Sequence, residues 1–355
     1  MDERRLYVDL HVIQTVPPSC INRDDTGSPK TAVYGGATRA RVSSQAWKRE
    51  MRKDFSKMFC GQDIGIRTKK VVDMVAEEIL KLDASVTDAE KKAAVALKNA
   101  GIKINDKKNE SDALLFMSKG QAKALAELVL EKNDDKKAYK QALIQEPAYD
   151  MALFGRMVAS DPSLNYDAAA QVAHSISTHA IHNEYDYFTA VDDRAPEDNL
   201  GAGHLGTVEF NSFTMYRYAT VNVLELDRHL GTDTADVVAG FVKAFICSMP
   251  TGKQNSFANR TLPDAVYVTV RKDQPINLCG AFEKPVSSKN GYVEQSVKNM
   301  KEYAKRMYRD YAEEPVCALG IGEALSSMAE VMPLNQLLDR LKVEVERQLV
   351  DGGEK

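Results

Sequence analysis

The segment LYVDLHVIQTV, residues 6–16, decides how the chain begins to fold. It is rich in β-branched residues, and apolar and polar side chains alternate after Leu6, which is typical of a strand in or near a core. Residues 17–41 follow, dense in Pro, Gly, Asn, Asp and Thr, and they are more numerous than a simple connection needs. The pattern therefore predicts an opening strand and then a loop of the length that usually carries a function.

The first predicted helix spans residues 43–59. Its apolar residues recur at helical spacing, and Ser43 or Ser44 is the expected N-cap. These apolar residues, which predict a buried stripe, are Trp47, Met51, Phe55 and Met58.

Further along, the sequence predicts a mixture of helices and strands. Residues 62–181 are rich in Ala, Lys, Glu and Leu and predict a helical insertion. Its helices are expected near 67–82, 87–99, 119–131, 135–146 and 167–181. Further helices are expected near 233–249, 294–311 and 334–349. Strands are expected at 183–193, 204–210, 213–226, 265–272 and, as an edge strand, 279–286.

Strands and helices alternate in the outer parts of the chain. This order predicts an α+β fold whose platform is a ferredoxin-like, or RRM-like, sheet with one face covered by helices. The strands expected at 183–193 and 204–210 are separated by RAPEDNLGAG, which has the Pro, Asn and Gly of a hairpin tip. These two strands therefore predict a projecting β-ribbon.

Composition places the chain among ordinary globular proteins. It has 355 residues, of which 44% are hydrophobic and 28% charged, and this length favours two or three lobes. No run approaches the roughly 20 apolar residues that a membrane helix needs, and the N-terminal residues lack the apolar run of a signal peptide. The five cysteines form no CxxC pair and are expected to be free, reduced thiols. We therefore expect a cytoplasmic protein.

Local charge is more informative than the net charge of -4. Residues 30–53 contain seven cations and a single acid. On the predicted helix, Lys48 and Arg52 lie four residues apart, as do Arg49 and Lys53, so the cations flank a face turned away from the core. The unpaired N–H groups at the start of this helix favour a phosphate. A solvated basic face with an ordinary serine cap explains the same pattern, and composition leaves both interpretations open.

An enzyme acting on RNA is the alternative hypothesis. Asp192 and Asp193, with Glu197, could hold Mg²⁺ in a nuclease, although acidic pairs in a hairpin loop are more often solvated. The histidines expected on one helix, the last two of which could share a face, are His174, His179 and His182. Because no HExxH motif or matching cysteine accompanies them, we expect no metal and no cofactor. A metal-dependent ribonuclease using Asp192 or Asp193, or an RNA-processing enzyme using His179, stays open.

The predicted ribbon carries apolar and β-branched residues that could wedge between bases. They are Phe188, Thr189 and Leu205, and burial in a small hairpin core explains them equally. The aromatic signature of an RNA-recognition sheet is absent, which favours binding of the backbone without reading of the bases.

The segment PSCINRDDTGSPKTAVYGGATRARVSSQAWKREMR, residues 18–52, resembles the N-terminal signature of the Cas-seven-type backbone subunits, the CasC family, of type I-E CRISPR Cascade complexes. The resemblance continues in the same order over most of the chain. The further segments are ALFGRMVAS (152–160), AHSISTH (173–179), YFTAVDD (187–193), HLGTVEFNS (204–212) and YRYATVNV (216–223).

This resemblance implies a hand-shaped protein without catalytic activity. Residues 1–61 and 212–355 would form a palm, 62–181 helical fingers, and 182–211 a β-hairpin thumb. Several copies would stack into a right-handed filament along one CRISPR guide RNA. The other implied partners are further Cascade subunits and target DNA, which pairs with the guide.

The resemblance also implies roles for particular residues. Met157 would pack against a displaced nucleotide, together with Phe188, Thr189 and Leu205 of the thumb. Trp47 departs from the smaller apolar residue expected there. The RNA-binding residues implied by the charge pattern and the resemblance together are Lys30, Arg41, Ser43, Gln45, Lys48, Arg49 and Arg52.

Overall fold

A computed structural model describes residues 4–59, 63–105, 107–158, 160–190, 194 and 204–351. The chain divides into two compact units. The first comprises Met1–Met51, Val172–Thr220 and Val242–Lys355, and the second comprises Arg52–Gln171 and Val221–Phe241. A large sheet and many helices together confirm the α+β prediction. Within the described ranges, no helix has the length and apolar character needed to cross a membrane.

The bounds of the elements are as follows. The strands are β1 Tyr7–Ser19, β2 Thr31–Tyr34, β3 Ala37–Val42, β4 Ile66–Thr68, β5 Ile104–Asn105, β6 Glu110–Ser111, β7 Leu115–Met117, β8 Ala170–Val172, β9 Ser175–Ser177, β10 Glu184–Ala190, β11 His204–Asn222, β12 Ala265–Arg271, β13 Cys317–Ile321 and β14 Glu330–Val331. The α-helices are α1 Ser44–Met58, α2 Val71–Leu82, α3 Ala89–Asn99, α4 Lys119–Leu130, α5 Lys136–Ile144, α6 Tyr149–Phe154, α7 Val223–Leu230, α8 Thr234–Cys247, α9 Gln254–Phe257, α10 Val293–Asp310 and α11 Leu334–Val350.

The large sheet has the strand order β14-β13-β12-β1-β11-β9-β3-β2, and β8 and β10 also pair with β11. Strand β1 is antiparallel to β12, with Tyr7 opposite Arg271 and Ile13 opposite Ala265. Because β1 lies between β12 and β11, its polar residues Asp9 and His11 are as buried as its apolar ones. The predicted opening strand is thus a central strand.

Helix α10 packs in the core of the first unit. Its residues Met300 and Ala304 are fully buried in one apolar cluster with Tyr216 and Phe282. The helix is amphipathic, since its buried positions recur every three or four residues. This spacing is the reason that the sequence predicts the helix within one residue at each end.

The second unit has its own core, formed by α2, α3, α4 and α5. Val72, Leu97, Leu125 and Leu143 are fully buried there. Ser118 caps α4 by accepting a hydrogen bond from the backbone N–H of residue 121 at 2.9 Å. Periodicity, together with side-chain caps at α4 and α5, explains why these four helices agree with the sequence-based expectations.

Three expectations about local structure are wrong. Residues 167–181 form the strands β8 and β9 rather than a helix, because pairing with β11 and β3 outweighs a weak local preference. The strand expected at 213–226 ends at Asn222, whose side chain caps α7. The edge strand expected at 279–286 is instead a 3-10 helix, Leu278–Phe282, which begins at a cap from Asn277.

The cysteines that the structure describes are free thiols. Burial raises the pKa of Cys20 and of Cys279 above the usual thiol value. Cys60 lies outside the described residues. The free thiols agree with the expectation from the sequence for the four described cysteines.

Candidate nucleic-acid interface

Helix α1 buries the apolar stripe that its sequence predicts. Trp47, Met51 and Phe55 are each 0% exposed. The Trp47 indole N–H donates to the Ser175 hydroxyl at 2.9 Å, and the Arg217 guanidinium lies 3.8 Å from the Trp47 ring centroid. The packed stripe fixes which face of α1 turns outward.

Arg217 is a buried cation behind this helix. It donates through Nη1 to Gln14 Oε1 at 2.6 Å and also bonds to the Phe245 carbonyl. In the described part of the chain it forms no ion pair with a carboxylate. Burial lowers the pKa of Arg217 to about 9, so the group still carries its charge at neutral pH. Its aromatic and polar contacts hold α1 against the sheet.

The outward face of α1 carries polar and basic side chains. Gln45, Arg49 and Lys53 are exposed, and Lys48 is half-buried, which lowers its pKa. Arg49 lines a cavity of about 620 Å³ together with Arg23, Lys253 and acidic residues of the loop at 24–25. The geometry agrees with a helix face that could bind an anionic chain.

Arg52 does not belong to this exposed face. Its Nε donates to Asp150 at 2.7 Å, its Nη2 donates to the Gly65 carbonyl at 3.0 Å, and its guanidinium stacks on Phe116. Asp150 is 0% exposed, and burial raises its pKa although the Arg52 charge lowers it. The structure therefore engages Arg52 in contacts within the chain, and its role in binding RNA stays a prediction.

Ser43 is the N-cap of α1. Its hydroxyl accepts a hydrogen bond from the Ala46 N–H at 3.4 Å, and its own N–H donates to Asn22 Oδ1 at 2.9 Å. Ser43 is only 6% exposed. The predicted cap is confirmed, and the hydroxyl is engaged within the chain.

Strand β3 separates two arginines that look alike in the sequence. Arg39 is fully buried and donates to backbone carbonyls, including those of Ser177 and Phe282. Arg41 is part-exposed, and its Nε donates to the Thr31 carbonyl at 3.0 Å. Lys30, just before β2, is also part-exposed. Lys30 and Arg41 are therefore candidates for binding a ligand, whereas Arg39 stabilises the fold.

Strands β10 and β11 form the predicted ribbon. Every residue of β10 is exposed, so the alternative that its side chains are buried in a small hairpin core is wrong. Phe188 pairs with Gly206 and Thr189 pairs with Leu205. Because paired residues share a face and successive residues alternate, Phe188 lies on one face and Thr189 and Leu205 lie on the other. The three residues predicted to wedge between bases are therefore divided between the two faces of the ribbon, and their contact with RNA stays a prediction.

Met157 lies in the second unit and is 83% exposed. It lines a mostly apolar groove of about 390 Å³, whose other walls include Ile102, Leu114 and Val158. Lys103 lies at the same groove. An exposed methionine beside an apolar groove can accept an apolar or aromatic group.

Among the residues of the alternative enzyme hypotheses, His179 is engaged by contacts within the chain. His179 is 5% exposed and stacks on Tyr292 at 3.6 Å between ring centroids. Its Nδ1 bonds to the Ala180 carbonyl at 2.8 Å, and its Nε2 accepts from the Thr214 N–H at 3.1 Å. Neither nitrogen is left for a metal or a substrate, and burial lowers the pKa of His179.

The remaining candidates for metal binding can be placed only in part. Asp192, Asp193 and Glu197 lie outside the described residues. Across the ranges that the structure does describe, no group of three or more His, Cys, Asp or Glu side chains could hold a metal ion. His182 is exposed. The helix expected near 167–181 does not form in this described range, because β9 lies there instead.

Two residues that the structure brings close to this basic surface were not predicted to belong to it, since His174 was considered only for a metal or an enzyme and Lys253 not at all. His174 contacts Arg41 with 3.2 Å between Nδ1 and Nη1, and Lys253 lines the cavity beside Arg49. Both come from distant parts of the sequence. Predicting that His174 lies beside Arg41 would have required knowing that β3 pairs with β9.

Known structures resemble the whole chain. A chain of a "CRISPR RNA-guided surveillance complex, pre-nicking" is 32% identical, with a TM-score of 0.81, and the match covers 96% of this chain and 100% of that chain. A chain of a "CRISPR RNA-guided surveillance complex" is 30% identical, with a TM-score of 0.64, and the match covers 95% of this chain and 99% of that one. No curated protein matches the chain at a significant level. A model of the CT1975-like proteins matches residues 8–342, and the chain therefore belongs to the CT1975-like protein family.

Proposed function

We propose that the chain is a non-catalytic backbone subunit of a CRISPR RNA-guided surveillance complex and binds the guide RNA. Two chains of such complexes match it over nearly its whole length at 30% and 32% identity, which supports this function. The finer assignment, to the CasC subunit of a type I-E Cascade, rests on the sequence resemblance. The expected cytoplasmic location stays a prediction.

The orientation of α1 is the observation that carries the proposal. Trp47, Met51 and Phe55 of its apolar stripe are fully buried. Gln45, Lys48 and Arg49 lie on the remaining surface. Such a helix can neutralise phosphates without reading bases, because lysine and arginine bind the backbone rather than the base edges. Lys30 and Arg41 extend this basic surface along β2 and β3.

The ribbon and the groove support a filament of several copies. The ribbon presents Leu205, 56% exposed, and Tyr187, 64% exposed, while the groove presents Met157 and Leu114. A contact between the ribbon of one copy and the groove of the next is head-to-tail and can repeat along the RNA. We accordingly propose that the chain has the palm, fingers and thumb that the resemblance implies, with a ferredoxin-like palm. We also propose that the guide RNA held by these copies pairs with target DNA.

A charge-removal experiment tests the RNA-binding surface. We expect Lys48→Ala/Arg49→Ala to weaken binding of a labelled single-stranded RNA regardless of its sequence. The slope of log K against log salt should become shallower by about 1.4, since each lost phosphate contact on a single strand accounts for about 0.7. Fluorescence anisotropy over a salt series gives both quantities.

The matched control is Lys305→Ala/Arg306→Ala, which removes the same two charges from exposed positions of α10. This variant should keep the affinity and the slope close to those of the unmodified protein. Equal weakening by both variants would instead indicate general attraction to the net charge. Incubating the RNA with the protein in Mg²⁺ and in chelator tests the non-catalytic part of the proposal, because a scaffold leaves the RNA intact in both.

A further inference from the structure

Three basic side chains meet where β3 runs into α1. The antiparallel pairing of β3 with β9 places Arg41 opposite Ile176 and Val42 opposite Ser175. The next step of this register brings His174 opposite Ser43, the N-cap of α1. His174 therefore lies at the start of the basic helix although the sequence separates them by 131 positions.

The contact with Arg41 determines which ring nitrogen of His174 carries the proton. Arg41 Nη1 lies 3.2 Å from His174 Nδ1, and a guanidinium can only donate, so Nδ1 accepts. The neutral ring then carries its proton on Nε2. Burial and the positive charges of Arg41 and Lys30 hold the pKa of His174 below its usual value. The side chain is exposed and offers one oriented N–H donor.

Arg41 is itself held in place. Its Nε donates to the Thr31 carbonyl at 3.0 Å, while its Nη1 contacts the imidazole. Over the described residues, neither Lys30 nor Arg41 forms an ion pair with a carboxylate. Two positive charges thus lie together without a carboxylate partner among the described residues, and the His174 Nε2–H, on the ring edge away from Arg41, points to a neighbouring position. Neighbouring RNA phosphates have the charge and the acceptor oxygens that this set requires.

We propose that His174 is a further RNA-binding residue, which donates Nε2–H to an oxygen of the RNA phosphate next to the one that Lys30 and Arg41 bind. The inference rests on the proposed function and adds a residue to its surface. In this arrangement Arg41 has two effects, because it binds the phosphate and also fixes the tautomer of His174. Lys30 contributes charge alone.

Salt dependence distinguishes a neutral donor from a cation. We expect His174→Ala to raise the dissociation constant for a labelled single-stranded RNA about five- to tenfold at pH 7.5, with no change in the salt slope. Lys30→Ala should make the slope shallower by about 0.7, because it removes one charge. His174→Gln keeps a side-chain N–H donor and should bind within about twofold of the unmodified protein.

His182→Ala is the control, since it removes an exposed histidine outside the cluster and should leave affinity and slope unchanged. Unchanged affinity of His174→Ala, beside clear weakening by Lys30→Ala, would overturn this inference and leave the proposed function standing. A slope that falls in His174→Ala as much as in Lys30→Ala would also overturn it, because His174 would then act as a cation. Unchanged binding in both Lys30→Ala and Lys48→Ala/Arg49→Ala would reject the proposed function itself.

Discussion

Asp9 and His11 are buried titratable residues two positions apart on β1. Asp9 accepts hydrogen bonds from the Tyr218 hydroxyl at 3.1 Å and from the Ile276 N–H at 2.8 Å. His11 Nδ1 lies 2.8 Å from the Tyr216 hydroxyl. Burial is the largest cause of both pKa shifts, and it raises the pKa of Asp9 to about 6 and lowers the pKa of His11 to about 3.

These two shifts have opposite effects on stability. Between about pH 4 and 6 the native state holds a proton on Asp9 that the unfolded state has lost, so this carboxyl makes the fold less stable as the pH rises. In the same window the unfolded state holds a proton on His11 that the native state lacks, so the imidazole makes the fold more stable as the pH rises. The two contributions therefore oppose each other over this range.

Asp9→Asn should remove the pH dependence that Asp9 contributes. We expect the free energy of unfolding of this variant, minus that of the unmodified protein, to increase by roughly 2 kcal/mol from pH 4 to pH 6. The reason is that asparagine does not titrate. The variant therefore lacks the loss of stability that Asp9 causes in the unmodified protein as the pH rises. Urea unfolding at pH 4, 5 and 6 measures the difference, and subtraction removes the contributions of other groups.

The double variant Asp9→Asn/His11→Gln provides the control for this pair. Its difference from the unmodified protein should be flat over the same pH range, because both contributions are removed. A flat difference already in Asp9→Asn would mean that Asp9 titrates alike in the native and unfolded states, which would contradict the buried carboxyl described above.

Helix α1 contains two arginines that have different roles in the structure, although both belong to i,i+4 pairs of cations in the sequence. Arg52 is paired with the fully buried Asp150, whereas Arg49 is exposed. Arg52→Ala should lower the free energy of unfolding by about 3 kcal/mol, because it leaves a buried carboxylate without its partner. Arg49→Ala should change it by less than about 0.5 kcal/mol. Urea unfolding at pH 7 measures both values.

The compensating variant separates the ion pair from lost packing. Arg52→Ala/Asp150→Asn should recover part of the stability, since the asparagine is uncharged and can still accept from the Gly65 N–H. Should Arg52→Ala prove as stable as Arg49→Ala, the pair would contribute nothing measurable. In that case Arg52 would return to the set of residues available for RNA.

The elements that the sequence predicts well are those in which local signals suffice. The stripe of α1, the caps and the periodicity of α2 to α5 lie within one short segment each, and the structure agrees with them. The segment at 167–181 has no such signal, because its strands depend on pairing with β3 and β11. The ion pair of Arg52 could not be predicted from the sequence for the same reason, since Asp150 is 98 positions away.

At the scale of the whole molecule, the register of the ribbon decides which side chains could contact the next copy in the filament together. Thr189 and Leu205 share a face with Tyr187, and Phe188 lies on the other face against Gly206, where an added Cβ would come within 2.4 Å of its ring. The sequence indicates that a ribbon exists and that it carries apolar residues. It does not give the pairing, because the Pro, Asn and Gly of RAPEDNLGAG set no unique alignment of the two strands.

Leu205→Asp should separate filament growth from RNA binding. In the proposed filament, the mass of the complex increases stepwise with RNA length as copies add head-to-tail. A charge on the apolar face of the ribbon should block these steps, because burying it against an apolar groove without a partner is costly. The first copy should still bind short RNA, since α1 is unchanged. Mass photometry on RNAs of increasing length measures the number of copies.

Val343→Asp is the matched control for this variant, because Val343 on α11 has the same exposed fraction as Leu205, 56%. It should assemble like the unmodified protein, with the same increase in mass per added length of RNA. Stepwise growth that persists in Leu205→Asp would exclude this face of the ribbon as the contact and leave the face of Phe188. Loss of growth in both variants would point to a general effect of added negative charge, and the ribbon would then have no special part in assembly.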